Sequence, residues 1–491
     1  MKIILKGGIV EMTVQQQPID AKEYFASAFG VPMLEIQATV HGLLESRQDG
    51  ELFLERIDSD GVGWKDGRAQ PASKSVEQGY GLRGVSGYSI AYATGNKLSL
   101  AELKRAGKVL TALPKNSAEI SESIMSAKLE PLYDPSAFTE MPLNERRDVL
   151  RAIDDFARQS PGVTNVSTSL LRERKMIVIV RHDGTVVVDV RPLVRLNISV
   201  QREKDGKREW GSSSIGGRAL VAQYLESSLW RFETLRAERQ AVTKLEARPC
   251  PAGKMPVVLG PGWSGVILHE AIGHPLEGDA VRKGESVFRD SLGNMIASPL
   301  VTVVDDGTVP FRRGSLRYDD EGTPTERTVL IENGKLVSFM HDRLSARHFG
   351  VRSTGSGRRE SYRHVPLVRM RNTFMLSGVD DPEAIIGSTK EGLYVPDMGG
   401  GQVDPVSGKF VFAAAVAYMI ENYKKTYPVK GATLIGKAED VLKYVDRVGN
   451  DSALDNGTGT CGKDGQGVPV GVGQPTIRIT TEGLTVGGTD I

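Results

Sequence analysis

The segment His269–His274 (HEAIGH) contains two imidazoles and a carboxylate, the side chains that bind or serve zinc in many hydrolytic sites. In the H-E-x-x-H pattern the histidines are four residues apart, so a regular helix separates them by about 40°. Here one more residue intervenes, and the separation on a regular helix becomes about 140°. Two imidazoles so far apart bind one metal only if the helix departs from regular geometry between them.

The residues around the second histidine supply a reason for such a departure. Gly273 tolerates unusual backbone angles, and Pro275 disfavours the helical conformation at His274. We therefore predict that the helix ends at Gly273 and that its last turn unwinds, which brings His274 towards His269. A single π-turn would act similarly, but the proline favours termination. The competing interpretation is an amphipathic helix with partly exposed histidines and no metal.

A catalytic zinc ion usually takes three protein ligands, so a third must come from elsewhere in the chain. Cys461 lies in the glycine-rich segment 456–465, where the backbone can approach another group closely; the alternative is an inert thiol. Cys250 lies between two prolines, which indicates a structural or incidental role. The other candidates are Glu277 and Asp279 directly after the motif, and the histidines His341, His348 and His364. Spacing alone does not choose among them.

The composition is that of an ordinary globular protein, with 40% hydrophobic and 25% charged residues. The formal net charge of +1, from 62 basic and 61 acidic residues, lacks the basic excess of nucleic-acid-binding proteins. Clusters such as Arg358-Arg359 are interpreted as local features that face solvent or an anion. We therefore expect no nucleic-acid partner.

The two cysteines, Cys250 and Cys461, are too few for a disulfide framework and are typical of a reducing compartment. The amino terminus is too polar after Val10 to contain the apolar core of a signal peptide. No apolar run approaches the length of about 18 residues that a transmembrane helix requires. The expectation is a cytoplasmic protein with no membrane partner.

The first half of the chain is predicted to be an α/β domain of strands flanked by helices. It spans residues 18–247, after a loose leader at 1–17, and divides into two similar subdomains at 18–115 and 140–247. A strand-like pattern runs from Leu34 to Ala93, with turns expected at 48–50, 59–61 and 65–67.

Helices and hairpins around this pattern support the division. Ser99 is the expected N-cap of one helix, with Glu102 as its capping-box partner. Periodic apolar residues predict a helix around 149–157 and a longer one from 218 to 245. Between them, His182-Asp183-Gly184 predicts a tight hairpin. A helix–strands–helix order therefore occurs twice.

The segment Arg248–Gly253 contains two prolines and predicts the boundary to a second domain. Residues 248–491 are rich in glycine and strand patterns, with a hairpin around Asn333-Gly334 and a long apolar strand at Phe410–Tyr418. One buried helix is expected near 263–273. The predicted fold class is α+β, with an amino-terminal α/β domain and a β-rich carboxy-terminal domain that carries the metal-binding helix.

Four segments together resemble the TldD/PmbA family of metallopeptidases. They are His269–Asp279 (HEAIGHPLEGD), Gly355–Met375, Gly399–Lys424 and Gly459–Ile479, and the resemblance extends from about residue 20 to the carboxy terminus. The chain is similar to the TldD branch, which retains both histidines, the glutamate and the late cysteine. The companion TldE/PmbA branch lacks the metal motif. The one departure is Pro275, where other members often have a small residue.

The resemblance implies a zinc-dependent peptidase that hydrolyses short or unfolded peptides. It assigns His269, His274 and Cys461 as zinc ligands and Glu270 as the general base. Zinc would polarise the scissile carbonyl, and Glu270 would pass a water proton to the leaving amine. The resemblance also implies a homodimer, or a heterodimer with a metal-free homologous subunit, and an α/β region followed by a β-rich one.

Two hypotheses from different classes remain at this point. A catalytically silent regulatory or binding subunit of a peptidase complex would share the fold, but it does not explain the retained histidine–glutamate–cysteine set. One zinc ion per chain, lost in His269→Ala, would favour the enzyme. The segment Gly399-Gly400-Gly401 lacks the Lys-Ser/Thr of a phosphate loop and is interpreted as a strand edge that receives an extended peptide.

Overall fold

The computed structural model describes residues 4–5, 8–9, 20–115, 132–133, 141–404 and 407–488. Most of the predicted leader at 1–17 lies outside these residues. The architecture of the described part is α+β, which confirms the predicted fold class. Its α-helices are Ala21–Phe29, Met33–Leu44, Leu100–Ala106, Leu143–Ala157, Val221–Tyr224, Ser227–Glu246, Val266–Leu268, Gly278–Lys283, Arg343–Phe349, Pro382–Gly387 and Ala438–Val441. None of the helices in these ranges is long and apolar enough to cross a membrane.

Strands from both predicted subdomains join one antiparallel sheet, which we call the amino-terminal sheet. The two units meet where Glu51 pairs with Arg181 and Lys65 pairs with Ser167. The predicted hairpin at Asp183-Gly184 joins its two longest strands. In spatial order the described strands are Ser89–Gly95, Ser73–Ser86, Asp49–Lys65, Val163–Arg181, Val186–Lys204 and Lys207–Gly217, with Arg68–Ala69 paired to the third.

Alternate residues of the amino-terminal sheet enter two different cores. Leu54 packs with helix residues such as Phe25 and Ile36. Its neighbour Phe53 packs with Tyr362 from the second half of the chain. Because successive side chains of a strand point to opposite faces, helices cover one face and the carboxy-terminal half covers the other.

The strand predicted to begin at Leu34 is a helix instead, Met33–Leu44. Its buried residues Ile36, Val40 and Leu44 are four apart, which is the spacing of one helix face. The β-branched residues in this segment favour a strand locally, but packing against the sheet decides for the helix. The neighbouring helix Leu100–Ala106 begins at Ser99 as predicted, and the Ser99 side chain accepts a hydrogen bond from the backbone of Glu102.

The predicted turn at 59–61 is also wrong, because these residues lie inside the strand Asp49–Lys65. Asp60 accepts hydrogen bonds from Arg172 at 2.6 Å and from Arg146 at 2.7 Å, so a residue typical of turns is held within the sheet. The turn predicted at 48–50 lies a few residues earlier, at 45–48, whereas the turn at 65–67 is confirmed by the positive φ of Asp66.

The second half of the described chain forms two further sheets. The nine-stranded sheet contains Arg248–Pro249, Lys424–Lys430, Lys409–Glu421, Glu391–Val403, Val257–Leu259, Ile477–Ile479, Val445–Val448, Thr433–Lys437 and Thr485–Gly487. The six-stranded sheet contains Lys335–Leu336, Arg327–Glu332, Val303–Asp306, Asn372–Met375, Gly471–Gln474 and Ala453–Leu454. These bounds confirm the hairpin around Asn333-Gly334 and the strand at Phe410–Tyr418.

Two short hairpins complete the second half within the described residues. One pairs Gly357–Arg358 with Leu367–Val368. The other pairs Thr460–Lys463 with Gln466–Pro469, and we call it the thiol hairpin because it contains Cys461. One core joins residues of both larger sheets, among them Val257 and Val303.

Buried charge fills the face where the amino-terminal sheet meets the second half. Glu51 accepts hydrogen bonds from Arg83 at 2.8 Å and from Arg359 at 2.6 Å, and Arg83 also lies 2.5 Å from Glu321. We call these four side chains the charge network; each is at most 1% exposed. Arg358-Arg359 were predicted to face solvent or an anion, and of these alternatives the solvent-facing one is wrong. Arg359 faces a carboxylate of the protein itself, and Arg358 binds backbone oxygens.

Candidate metal centre

The two motif histidines lie on a run of helical turns that changes pitch between them. We call residues 262–276 the histidine helix. Val266–Leu268 form an α-helical turn, His269–Gly273 a π-helical turn and His274–Leu276 a 3₁₀ turn. The backbone N–H of His274 donates to the carbonyl oxygen of His269. The helix therefore continues through Gly273 instead of ending there as predicted. A π-turn aligns residues five apart, so His274 lies on the same side as His269.

Gly273 is required for space rather than for an unusual conformation. Its φ of −59° and ψ of −56° are ordinary helical values. A Cβ at this position would lie 2.0 Å from Sδ of Met370, so any side chain would displace that methionine. Pro275 begins the short 3₁₀ turn, where its missing N–H costs little.

Three of the candidate donors converge. The ligand atoms of His269, His274 and Cys461 lie within 4.8 Å of one another, and no other such group of three is found among the described residues. Sγ of Cys461 is 3.3 Å from Nε2 of His274. The two imidazole rings are 5.1 Å apart and nearly perpendicular. His269 and Cys461 are 2% and 3% exposed, so the centre is enclosed.

The thiol hairpin presents its donor by strand alternation. Side chains at 461 and 463 point to the same side, so Cys461 and Lys463 both face the histidine helix. Lys463 donates to Glu277 at 2.9 Å and to Asp279 at 2.7 Å. Arg369 donates to the carbonyl oxygen of Cys461 at 2.6 Å, which fixes the strand behind the thiol.

Glu277 orients His274. Its carboxylate lies 3.0 Å from Nδ1 of His274, which places the ring proton on Nδ1 and leaves Nε2 towards Cys461. Although burial favours the neutral acid, Lys463 and His274 lower the pKa of Glu277 to about 2. The carboxylate is therefore ionised at neutral pH and serves as a fixed acceptor. Glu277 is a candidate third ligand by sequence, but in the structure it contacts Nδ1 of His274, the ring nitrogen that faces away from Cys461.

The centre also favours a thiolate. Burial favours the neutral thiol, but His269 and His274 lower the pKa of Cys461 well below its ordinary value. Burial disfavours an imidazolium as well, yet Glu277 and Cys461 raise the pKa of His274 well above its ordinary value. Without a metal the thiol and imidazole share a proton, which a bound cation would displace.

Glu270 lies at the open side of the centre. Its side chain is 24% exposed, and its carboxylate is 3.8 Å from Nε2 of His274. This position is beside the converging donors without being one of them. A water molecule between the carboxylate and a bound substrate would therefore be within hydrogen-bonding reach.

The remaining sequence candidates serve other contacts. Burial lowers the pKa of His341 to about 4, and this neutral ring packs against Phe339 and Phe349. His348 pairs with the hydroxyl of Tyr88, His364 with Ser361, and Asp279 with Lys463. Burial raises the pKa of the Cys250 thiol to about 11, and Cys250 belongs to no group of converging donors.

The donor set fits zinc. Nitrogen and sulfur ligands of a tetrahedral zinc ion lie about 3.5 Å apart, close to the observed 3.3 Å between Nε2 of His274 and Sγ of Cys461. Nδ1 of His269 is buried and has no hydrogen-bond partner among the described residues, so this ring can adopt whichever tautomer a cation requires. Two imidazoles and a thiolate are borderline-soft ligands, which suit zinc better than magnesium or calcium.

Several family models and known proteins are similar to this chain. Models of the PmbA/TldA metallopeptidase match the chain over residues 252–488 (C-terminal domain), 137–248 (central domain) and 50–112 (domain 1). The metalloprotease TldD homolog of Haemophilus influenzae is 44% identical over 460 residues, which are 90% of this chain and 93% of that protein. The zinc metalloprotease TldD homolog of Saccharolobus solfataricus is 32% identical over 252 residues, or 51% of this chain and 55% of that protein.

Among solved structures, TldE from Thermococcus kodakarensis superposes with a TM-score of 0.74 at 17% identity, covering 93% of this chain and 100% of that chain. At this identity the likeness concerns the fold alone.

Proposed function

The chain belongs to the TldD/PmbA family of metallopeptidases, and we propose that it is a zinc-dependent peptidase that hydrolyses short or unfolded peptides. The observation that carries this proposal is the convergence of His269, His274 and Cys461 beside Glu270. A silent subunit would have no use for three enclosed donors and an adjacent carboxylate.

The protein's own groups suit amide hydrolysis. Bound zinc would polarise the scissile carbonyl and acidify water. Glu270 accepts the proton of the attacking water and passes it to the leaving amine. Glu277 keeps the proton of His274 on Nδ1, and Arg369 holds the backbone of Cys461. Catalysis thus needs one mobile carboxylate and a rigid set of donors.

The burial of the donors restricts the substrate. His269 and Cys461 are almost inaccessible, so a peptide must approach as a thin, extended chain. A folded domain would have to open locally first, which costs free energy that stable domains rarely give up. A strand edge would offset part of the ordering cost through backbone pairing. Strand Glu391–Val403 offers such an edge, since Val257–Leu259 reaches only Val395 on one side.

The decisive test is Glu270→Gln. We expect one zinc ion per chain, measured by elemental analysis, and no measurable turnover of an unfolded peptide. Glu285→Gln is the matched control, because Glu285 is exposed and lies outside the centre. Full activity of the Glu270 variant would contradict the assignment of Glu270 as the general base. Wild-type protein that never binds zinc would contradict the proposed zinc site.

The substrate class has its own test. One cleavable sequence is presented free and then embedded in a stable folded host. We expect rapid cleavage of the free peptide and little cleavage of the embedded one. Equal rates, with the host still folded, would contradict the enclosed site.

The proposed function also includes an assembly with a second subunit and a cellular location. We propose assembly with a homologous metal-free subunit, with a homodimer as the alternative assembly. Sedimentation of the chain, alone and mixed with such a subunit, distinguishes the two. Two free cysteines support a cytoplasmic location.

A further inference from the structure

Four arginines lie around the thiol hairpin, and each donates to a carbonyl oxygen of the hairpin or of the two residues before it. They are Arg195, which donates to the carbonyl of Thr458; Arg313, to that of Gly459; Arg369, to that of Cys461; and Arg358, to that of Pro469. Among the described residues, none of these four has a carboxylate within ion-pair distance, in contrast to the arginines of the charge network. The segment before Cys461 therefore lies in an excess of positive charge.

Two of these arginines line a cavity of about 370 Å³. Its lining lies on the amino-terminal sheet except for Arg313, which comes from the second half of the chain, and we call the cavity the arginine crevice. Its charged lining consists of Arg195, Arg313, Lys74, Arg172, Asp60 and Glu173. Asp60 is already held by Arg172 and Arg146. Glu173 is the one remaining carboxylate in this lining, so positive charge predominates.

The guanidinium groups are not fully used. Arg313 donates through Nε and Nη2, and Arg195 through Nε and Nη1. Nη1 of Arg313 and Nη2 of Arg195 have no hydrogen-bond partner among the described residues. Asp455 lies nearby, but it accepts from the backbone N–H groups of Gly457, Thr458 and Val472.

The burial of the Arg313 guanidinium is energetically unfavourable. Arg313 is 7% exposed; Asp455 and Glu173 attract it from a distance, but a buried cation without a direct ion pair is unfavourable. Burial and repulsion from Arg195 and Arg218 lower the pKa of Arg313 to about 10. An anion between the two guanidinium groups would remove this penalty, and the planar fork of arginine is suited to the paired oxygens of a carboxylate or a tetrahedral oxyanion.

We propose that the arginine crevice binds an oxyanion through Arg195 and Arg313. The site is separate from the metal centre, because its lining contains none of the three donors and the Thr460 side chain that Arg313 contacts points away from that of Cys461 on the same strand. The ligand is a single oxyanion group, either a free inorganic anion or the carboxylate at the end of a peptide.

Binding there should be linked to the metal. Arg195 and Arg313 hold the backbone of Thr458 and Gly459 and the hydroxyl of Thr460, directly before Cys461. An anion would both fix this segment and reduce the positive charge that repels a cation. Both effects favour zinc, and linkage requires that zinc favour the anion equally. This consequence alone rests on the proposed zinc site.

The first experiment measures sulfate binding to the metal-free full-length chain by calorimetry, in chloride buffer of equal ionic strength. We expect one saturable site per chain. Arg195→Gln should weaken binding at least about tenfold, because it removes a charge-assisted hydrogen bond. Arg208→Gln is the matched control: it lies on the same sheet, is 63% exposed and pairs with Glu203. No saturable binding, or equal loss in both variants, would overturn the proposal.

Arg195→Lys distinguishes the contribution of the guanidinium geometry from that of the positive charge. It also provides a second variant if Arg195→Gln does not fold. It keeps the cation and loses the fork, so binding should lie between wild type and complete loss. Wild-type affinity in this variant would overturn recognition by the guanidinium fork.

A second set of ligands identifies the source of the anion. A short peptide with a free carboxyl terminus is compared with its carboxamide on the same metal-free chain. A carboxylate preference that disappears in Arg195→Gln assigns the crevice to peptide ends, and sulfate binding without such a preference assigns it to free anions. Zinc release to a chelator should also be slower with sulfate in wild type but not in Arg195→Gln. If sulfate does not slow zinc release from wild type, the linkage between the two sites is contradicted but anion binding is not. The binding assays do not measure hydrolysis, so they test the crevice independently of the proposed peptidase activity.

Discussion

The charge network and the metal centre are both built from buried polar side chains, but their groups face different partners. In the charge network, Glu51 accepts from Arg83 at 2.8 Å and from Arg359 at 2.6 Å, so opposite charges meet. In the metal centre, Sγ of Cys461 lies 3.3 Å from Nε2 of His274, so two potential metal donors meet. The first arrangement pairs opposite charges within the protein, and the second is arranged for a cation.

This difference separates stability from metal binding. A change in the charge network leaves a buried charge unpaired and should lower the free energy of unfolding. A change in the metal centre removes a ligand and should act mainly on zinc affinity. Variants of each cluster, measured for both properties, test whether the separation holds.

The largest effect is expected from Cys461→Ala. Loss of the thiolate should lower zinc affinity by at least about a thousandfold and abolish hydrolysis, because one of three ligands and its charge are removed. The metal-free variant should unfold within about 2 kcal/mol of wild type. Elemental analysis and competition with a chelator measure the first effect, and urea unfolding the second.

Cys250→Ala is the control for the thiol. Cys250 is as buried as Cys461 but belongs to no donor group, so zinc content and activity should stay near wild type. A zinc-replete, active Cys461→Ala protein would instead direct attention to Glu277, Asp279 or another histidine as the third ligand.

Glu51→Gln should have the opposite pattern. Arg83 and Arg359 would lose their shared carboxylate, and removal of one partner from a buried ion pair costs about 3–5 kcal/mol. Zinc should remain at one ion per folded chain. The matched control is Glu77→Gln, whose ion pair with Arg363 is exposed and worth about 1 kcal/mol or less. Equal stability of the two variants would remove the contrast between the clusters.

The sequence predicted the histidine pair better than it predicted the helix between them. The five-residue offset correctly required an irregular helix, but Gly273 and Pro275 were interpreted through backbone preference. The structure uses Gly273 for contact with Met370, a residue about one hundred positions away. No local pattern reports such a contact, so termination could not be distinguished from a π-turn.

Long-range pairing also explains the other differences. Asp60 belongs to a strand because Arg146 and Arg172 hold it, and neither is close in sequence. The role of Lys463 was missed, although its alternation with Cys461 on a strand was a usable signal. Hairpins with Asp183-Gly184 and Asn333-Gly334 were predictable because their turn chemistry is local.

Glu277→Gln should have an intermediate effect, because this residue connects the two kinds of cluster. It accepts from His274 and from Lys463, so it is a charge partner that also orients a ligand. Loss of the charge should weaken zinc binding about 10–100-fold. Lys463 keeps Asp279, so unfolding of the metal-free chain should change less than in Glu51→Gln. Unchanged zinc affinity, measured against the Glu285→Gln control, would show that His274 needs no partner.

The smallest expected effect is the pH dependence that Glu321 adds to the charge network. Burial raises the pKa of Glu321 to about 8 from an ordinary value of 4.5. Arg83 opposes this shift, but Glu51 already shares that arginine, and Asp342 and Asp319 add repulsion.

The folded state therefore keeps a proton on Glu321 that the unfolded chain has released. A raised pKa contributes stability that is fully present below pH 4.5 and is lost as pH rises towards 8. Relative to Glu321→Gln, wild type should lose at most about 1.4 kcal/mol per pH unit between pH 6 and 8. Burial raises the pKa of Asp319 to about 6, and Asp319 repels Glu321, so the difference between the two curves reports the titration of both carboxyl groups. Urea unfolding at constant ionic strength measures the two curves. Parallel curves would mean that Arg83 keeps Glu321 ionised and that the network is complete without a proton, whereas diverging curves would make that proton its final partner.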